Sequence, residues 1–484
     1  MELRAFPGNL EVMSDTAALK NPTLSSYRLI ALIVSSAMFM EQLDGTVLAT
    51  ALPTMAHDFG VDPLRMSMAL TSYLLGLAVF IPTSGWIADR FGARNVFRVA
   101  IILFTAGSVL CGRAESLGFL VVFRLLQGIG GAMMVPVGRL LLLRAVPKEQ
   151  LVSAMAWLLV PATLGPILGP PVGGFIVSTL SWRWIFDINV PIGLLGLVLA
   201  TAYMPDVREP NTSEFDLRGS VISGAGLSCL VLGLEMAGRG MNARLGIGLL
   251  IAAVPLLLAY WFHARRHPHP VIDLTLLRIP SFRISVFSGM PYRVAFGAQP
   301  FLLPLMLQLG FGLSAVRSGG IIFAGAAGSM FMRAVAPRLL RRFGYRDVLV
   351  VNGAVSLVLF AMQAAFRPYW PMGLIYLVLF VGGFTASMQF TAYNTIVFAE
   401  IPPARMSAAT SFYATCQQIF LTFGIIAAAF SLAVARAVNG GQALSLGHFS
   451  VAFLTVAAVG ALAPLISLRL APDAGDQLRG RLTT

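Results

Sequence analysis

Leu29–Leu52 reads LIALIVSSAMFMEQLDGTVLATAL. The run is long enough to cross a bilayer, which takes about 20 mostly apolar residues. It nevertheless carries two carboxylates, Glu41 and Asp44, near its middle. An Asp at mid-bilayer costs roughly 2.5 to 3.5 kcal/mol on insertion scales, so such residues persist where they face a bundle interior or a watery cavity. The three-residue spacing sets both acids on one helical face. Removing a carboxylate from water favours its neutral form, which suits such a pair to reversible proton binding.

The rest of the chain has the composition of a polytopic membrane protein. Hydrophobic residues make up 57% of the 484 and charged residues only 11%, against roughly 25% charged in an average soluble domain. Mean hydropathy is +0.80. The net charge of +13 sits in short connectors between apolar runs, where basic residues set topology, and nucleic acid is not an expected partner. Cys111, Cys229 and Cys416 stand singly in or beside apolar runs, without the paired spacing of a disulfide framework or metal site. The first apolar run is of full spanning length behind a mixed-charge tail, so it reads as a retained span rather than a cleaved signal.

Counting spans by this rule gives about fourteen. Six fall near 29–52, 66–88, 96–114, 117–142, 151–178 and 184–204, two near 219–238 and 245–262, and six near 284–308, 315–335, 347–366, 371–397, 407–436 and 449–468. The expected organisation is a tail (1–28), a six-helix bundle (29–204), a linker with two extra helices (205–272), a second six-helix bundle (273–470) and a tail (471–484). With the N-terminus inside, about 23 Lys and Arg fall on the cytoplasmic side, about 8 outside and about 3 within spans. That bias fits an even number of spans and cytoplasmic termini. An internal echo supports two related halves: Arg90-Phe91-Gly92-Ala93-Arg94 and Arg342-Phe343-Gly344-Tyr345-Arg346 occupy the same loop of each bundle.

Several motifs carry chemistry. Gly85-Trp86-Ile87-Ala88-Asp89-Arg90-Phe91-Gly92-Ala93-Arg94 has a glycine for close helix approach, a glycine for a tight turn and an acid able to face an arginine. Arg124, in Phe123-Arg124-Leu125-Leu126-Gln127-Gly128-Ile129-Gly130-Gly131, lies inside an apolar run, and a buried guanidinium needs an acid or a ring of acceptors. Asp44 or Glu41 is its natural partner; a structural role for the arginine is the alternative. Gly165-Pro166-Ile167-Leu168-Gly169-Pro170-Pro171-Val172-Gly173-Gly174 spaces small residues four apart and adds kinking prolines, a pattern that serves tight packing alone or the sealing of a pathway. Arg293, Gln389, Tyr393 and Asn394 are polar positions in later spans, candidates with Gln127 and Glu41 for a substrate cavity. His263, His267 and His269 stand close in sequence, yet without further ligands no metal site is expected. There is no Walker A, HExxH or GxSxG pattern, so neither an enzyme nor a pump with its own ATP hydrolysis is expected.

The motifs GxxxDRxGxR at Gly85–Arg94 and GxxxGPxxGG at Gly165–Gly174 resemble those of the major facilitator superfamily. Leu43-Asp44-Gly45-Thr46, running on to Ala51-Leu52-Pro53, and Trp182-Arg183-Trp184-Ile185-Phe186-Asp187-Ile188-Asn189-Val190-Pro191 resemble its fourteen-span drug:proton antiporters of the EmrB/QacA type. The resemblance implies an all-α fold of two six-helix bundles plus two central helices, in the cytoplasmic (inner) membrane. It implies export of a small, amphipathic organic compound against protons, with the proton gradient in place of any cofactor.

In that frame Asp44, with Glu41, carries the proton and Arg124 senses it. The latch comprises Gly85, Asp89, Arg90, Gly92 and Arg94, with Arg342, Gly344 and Arg346 as its second copy. Arg341 stands where Asp89 would align, so the latch is expected to be asymmetric. Gly165, Gly169, Pro170, Gly173 and Gly174 form the antiporter motif. The chain is expected to act as a monomer, and an EmrB-type pump can work with a periplasmic adaptor. A proton symporter or facilitator for a metabolite, and a non-transporting receptor, are the rival readings.

Overall fold

The computed structural model describes residues 24–146, 151–205, 215–237, 243–402, 405–440 and 443–475. Most of the two expected tails and the acid-rich part of the 205–218 connector lie outside these residues. All regular structure among the described residues is helical. The first group runs α1 (Leu24–Asp58), α2 (Ser67–Phe91), α3 (Ala93–Gly112), α4 (Leu117–Ala145), α5 (Leu151–Thr179), the single turn α6 (Trp184–Asp187) and α7 (Asn189–Tyr203). A hairpin of α8 (Leu217–Ala237) and α9 (Ala243–Arg266) follows. The second group comprises α10 (Pro280–Gly297), α11 (Gln299–Leu305), α12 (Ala315–Phe343), α13 (Tyr345–Asp347), α14 (Gly353–Met362), α15 (Met372–Ile396), α16 (Met406–Val438), α17 (Leu446–Gly460) and α18 (Leu462–Ser467).

Twelve helical segments among the described residues are long and apolar enough to cross a membrane. Two expected spans are not among the twelve. The span expected at 151–178 coincides with the 29-residue helix α5. The span expected at 284–308 is divided at Ala298 between α10 and α11, just before Pro300 in the first turn of α11. Such a proline removes a donor and clashes with the preceding turn, which bends or breaks a helix. Large side chains such as Phe119, Leu195, Ile251 and Phe331 are more than half exposed, as suits a surface bathed in lipid.

The two halves repeat one plan. The first helix packs on the fifth in both (α1 on α5, α10 on α16), and the second on the fourth (α2 on α4, α12 on α15). The sequence echo has a structural counterpart. Gly92 ends α2 at φ 87° and Gly344 ends α12 at φ 83°, a left-handed conformation that glycine adopts without a Cβ penalty. Two residues on, Arg94 Nη1 donates to the Met204 carbonyl at 3.2 Å and Arg346 Nη2 to the Leu468 carbonyl at 3.2 Å. Each arginine thus ties the loop after its half's second helix to the end of that half's last helix.

Between the halves, α5 meets α12 and α2 meets α16. A Cβ on Gly174 would overlap the Ala315 carbonyl, and one on Gly319 the Pro170 carbonyl. Near this end of the bundle Gln308 Nε2 donates to the Thr50 carbonyl at 3.0 Å, and Arg436 pairs with Asp62 at 2.6 Å. The halves are therefore closed against each other at the end bearing the α1–α2 connector. The inserted hairpin leans on this interface through α8, which contacts both α2 and α16. Its buried Glu235 accepts from Thr71 Oγ1 at 2.7 Å, a contact to which no sequence motif pointed. Beside it, Leu234, Ala237 and four apolar residues of α16 line a crevice of about 380 Å³.

Candidate functional site

Helix packing builds the site from the first group. Gly128 allows α4 to lie against the α2 backbone, where a Cβ would overlap the Tyr73 carbonyl. On the other side of α1, a Cβ on Gly169 would overlap Thr46 Oγ1, so the small residues of α5 set the position of the α1 segment carrying Asp44. With α1, α2 and α4 fixed in this way, Arg124 reaches Asp44.

Arg124 is fully buried and Asp44 is 3% exposed. Arg124 Nη1 donates to Asp44 Oδ2 at 2.5 Å and to Gln127 Oε1 at 2.7 Å, while its Nε donates to the Ala69 carbonyl at 3.1 Å. The guanidinium also sits 4.4 Å from the Tyr73 ring centre, a cation–π contact strengthened by burial. Asp44 Oδ1 accepts from Gln127 Nε2 at 2.9 Å and from Asn189 Nδ2 at 3.1 Å. Asn189 Nδ2 is held by Ser108 Oγ at 2.9 Å, and that hydroxyl donates to the Phe186 carbonyl at 2.9 Å. The carboxylate thus receives donors from two further helices. Glu41, one turn before it on α1, is also buried, and its Oε2 has no hydrogen-bond partner. The two acids lie in unlike settings despite their shared face.

Sequence reasoning offered Asp44 or Glu41 as the partner of Arg124, of which the structure selects Asp44, and left Asn189 and Ser108 without roles. Asn189 stands inside the quoted Trp182–Pro191 stretch, so a signal existed; a serine in an apolar span carries none. Gln127, expected in the substrate cavity, instead belongs to the Asp44 network.

The remaining cavity candidates gather in the second half. Arg293 Nη2 donates to Asn394 Oδ1 at 3.2 Å and to the Tyr413 hydroxyl at 2.7 Å. Tyr413 was not anticipated. Arg293 is 1% exposed and forms no ion pair among the described residues. Its charge is met instead by the rings of Tyr413, Phe390 and Tyr393, at 4.9, 5.6 and 5.7 Å. Tyr393 donates to the Ser288 carbonyl at 3.3 Å, and Gln389 bridges the Leu349 carbonyl and Asn352 at 2.9 and 3.0 Å. Gln389 and Tyr393 are thus buried in contacts between helices, while Asn394 keeps an exposed face.

At the opposite end from the closed interface, Asp89 Oδ1 pairs with Arg144 Nη2 of α4 at 2.8 Å. Arg341, aligned with Asp89, donates from Nε to the Pro337 carbonyl of its own helix at 3.3 Å, which gives the two loops different contacts. Arg90 and Arg342 are exposed, and Arg342 lies 5.5 Å from the Phe343 ring centre. The expectation that Gly85 admits a neighbouring helix is corrected: among the described residues an added Cβ would meet nothing within 4 Å. The Asp89–Arg144 pair is partly exposed, so it should contribute only about 0.2–1 kcal/mol. In a cycle of Asp89→Asn, Arg144→Gln and the double variant, transport by each single variant should fall about two- to fivefold. The double variant should be no worse than either single one; full additivity of the losses would exclude coupling through this pair.

A family model described as Major Facilitator Superfamily matches residues 34–424. Among curated relatives, a "Putative multidrug resistance protein MdtD" of Klebsiella pneumoniae (strain 342) is 39% identical over 454 residues, covering 92% of this chain and 94% of the relative. The protein of that name from Serratia proteamaculans (strain 568) is 39% identical over 397 residues, covering 81% and 82%. In overall fold the chain is similar to the D-xylose-proton symporter (TM-score 0.65, 15% identity, 92% of this chain and 98% of that one). It is also similar to the human organic anion transporter MFSD10 (TM-score 0.61, 15% identity, 91% and 99%). The matching family model, relatives covering 81% and 92% of the chain and the repeated helix pairing of the two halves agree: the chain belongs to the major facilitator superfamily.

Proposed function

We propose that this protein is a proton-driven exporter of amphipathic organic compounds, integral to the inner membrane and working by alternating access. The observation that carries the reading is the buried Asp44–Arg124 pair with its Gln127 and Asn189 donors. Ionised Asp44 accepts three hydrogen bonds; protonated, it must itself donate one and no longer neutralises Arg124. Proton uptake therefore loosens contacts among α1, α4 and α7, and that change in packing is one physical route from a proton to a domain movement. No cofactor enters this scheme, since the proton gradient supplies the work.

Export of diverse toxic compounds is supported by the multidrug resistance relatives and their near-complete overlap with this chain. The substrate would bind between the halves, with Glu41 on one side and Arg293, Asn394 and Tyr413 on the other, so that compounds carrying both charge and apolar surface are favoured. Fourteen spans with cytoplasmic termini, as in the EmrB/QacA type, follow if α5 and the bent α10–α11 segment cross the membrane beside the twelve apolar helices. The distribution of Lys and Arg supports that count. The organisation proposed is 29–204 and 273–470 as the two bundles, with 205–272 as the linker and inserted pair. In that orientation the closed end faces the periplasm and the Asp89 latch the cytoplasm. The protein is taken to act as a monomer, and the EmrB-type resemblance extends to use of a periplasmic adaptor.

Flux tests the reading. Everted vesicles loaded with acid should release protons when a transported compound is added, and a protonophore should stop compound uptake. Movement of protons in the same direction as the compound would replace antiport by symport.

A further inference from the structure

We propose that Asp216, His263 and His267 form a divalent-metal site of the zinc type that clips the two ends of the inserted hairpin together. The sequence gives no reason to expect it, because the histidines lack a third ligand until α8 and α9 are paired. In the fold, one ligand atom from each of the three residues lies within 4.8 Å of the others. Ligands on a tetrahedral Zn²⁺ at 2.0–2.2 Å sit about 3.5 Å apart, so small side-chain rotations close the set.

The site has a built floor. Asp216 is 4% exposed, and its Oδ1 accepts from the Gly219 backbone N–H at 2.8 Å while its Oδ2 lies 3.4 Å from that of Val271. Such contacts orient a ligating carboxylate. His263 Nε2 shares a hydrogen bond with Asp216 Oδ1 at 2.6 Å, which a bound ion would replace, and the His263 ring, in the last turn of α9, stacks with that of His267 just past the helix end, with centroids 5.2 Å apart. The nearby Arg265 guanidinium lies over the Trp261 ring at 3.6 Å, so its charge is engaged elsewhere. His267 Nδ1 accepts from the exposed His269 N–H at 3.2 Å. Ligation through Nε2 would put the proton on Nδ1 and return that N–H to water. His263 is 22% exposed at its side chain, which leaves an entry path. Two imidazoles and a carboxylate suit Zn²⁺ and Co²⁺ rather than Mg²⁺ or Ca²⁺, with a fourth position for water.

A bound ion would join the start of α8, the end of α9 and, through Val271, the connector to α10. Titration of the tag-free, full-length protein in detergent with Co²⁺ followed by visible absorption, and with Zn²⁺ by calorimetry, tests this. One ion per chain is expected. His263→Ala and His267→Gln should each weaken binding at least about tenfold, whereas His269→Ala should leave it unchanged. His267→Gln alters a partly exposed residue and keeps the test valid if His263→Ala fails to fold. Lack of stoichiometric binding by the unsubstituted protein, or binding that survives both histidine changes, would overturn the site.

Discussion

Asp44→Asn is expected to abolish proton-driven export while leaving a folded, less stable protein. Asparagine matches aspartate in shape but offers one acceptor oxygen and an amide that can only donate. Asp44 now accepts from Arg124 on one oxygen and from Gln127 and Asn189 on the other. Whichever way the new amide turns, its NH₂ meets a donor. Arg124 meanwhile loses its only ion-pair partner among the described residues. Removing one member of a buried pair costs about 3–5 kcal/mol, because the other charge remains in the interior. The Ala69 carbonyl and Tyr73 ring keep part of that cost from being felt. The measurement is pH-driven export by purified protein in proteoliposomes, with a thermal shift recorded in parallel. Loss of proton-driven flux with retained substrate binding fits a coupling role; undiminished flux would remove Asp44 from it.

Gly174→Val should also impair export strongly, by a different route. The Cβ of any residue at 174 overlaps the Ala315 carbonyl, which is backbone and cannot swing aside. Closure of α5 on α12 must then open by the width of a side chain, and Gly319→Val should do the same from the α12 side, against the Pro170 carbonyl. Overpacking a tight contact costs about 1–3 kcal/mol, and here the cost falls only on the state in which the halves are closed at this end. A population difference of that size shifts the balance of the two states about five- to 150-fold. Export should fall accordingly, and a cysteine introduced by Thr50→Cys, buried at this closed end, should become reactive to an impermeant thiol reagent. Full export with an unreactive Thr50→Cys thiol would show that the closed contact is not part of the cycle.

Hydropathy alone located twelve apolar helices among the described residues, because a span is a local property: a run of apolar residues bounded by polar ones. The duplication was equally legible, since a glycine at positive φ leaves a mark at Gly92 and Gly344 that other residues cannot supply. That Arg124 needs a partner was legible, because a lone charge in an apolar run requires one; the sequence left Asp44 and Glu41 as candidates, and the fold selects Asp44. Tertiary structure alone decided which neutral groups joined them. Asn189 reaches the carboxylate, and Ser108 reaches Asn189, only through the way α7 packs on α1 and α3, and a sequence does not record that packing. Packing likewise placed Gly85 against open space, put Tyr413 rather than an acid beside Arg293, and brought Asp216 to two histidines 47 and 51 positions away. Helical spacing states which residues share a face. Which face meets which depends on the register of backbones pressed together at glycines, and that is fixed only when every helix is in place.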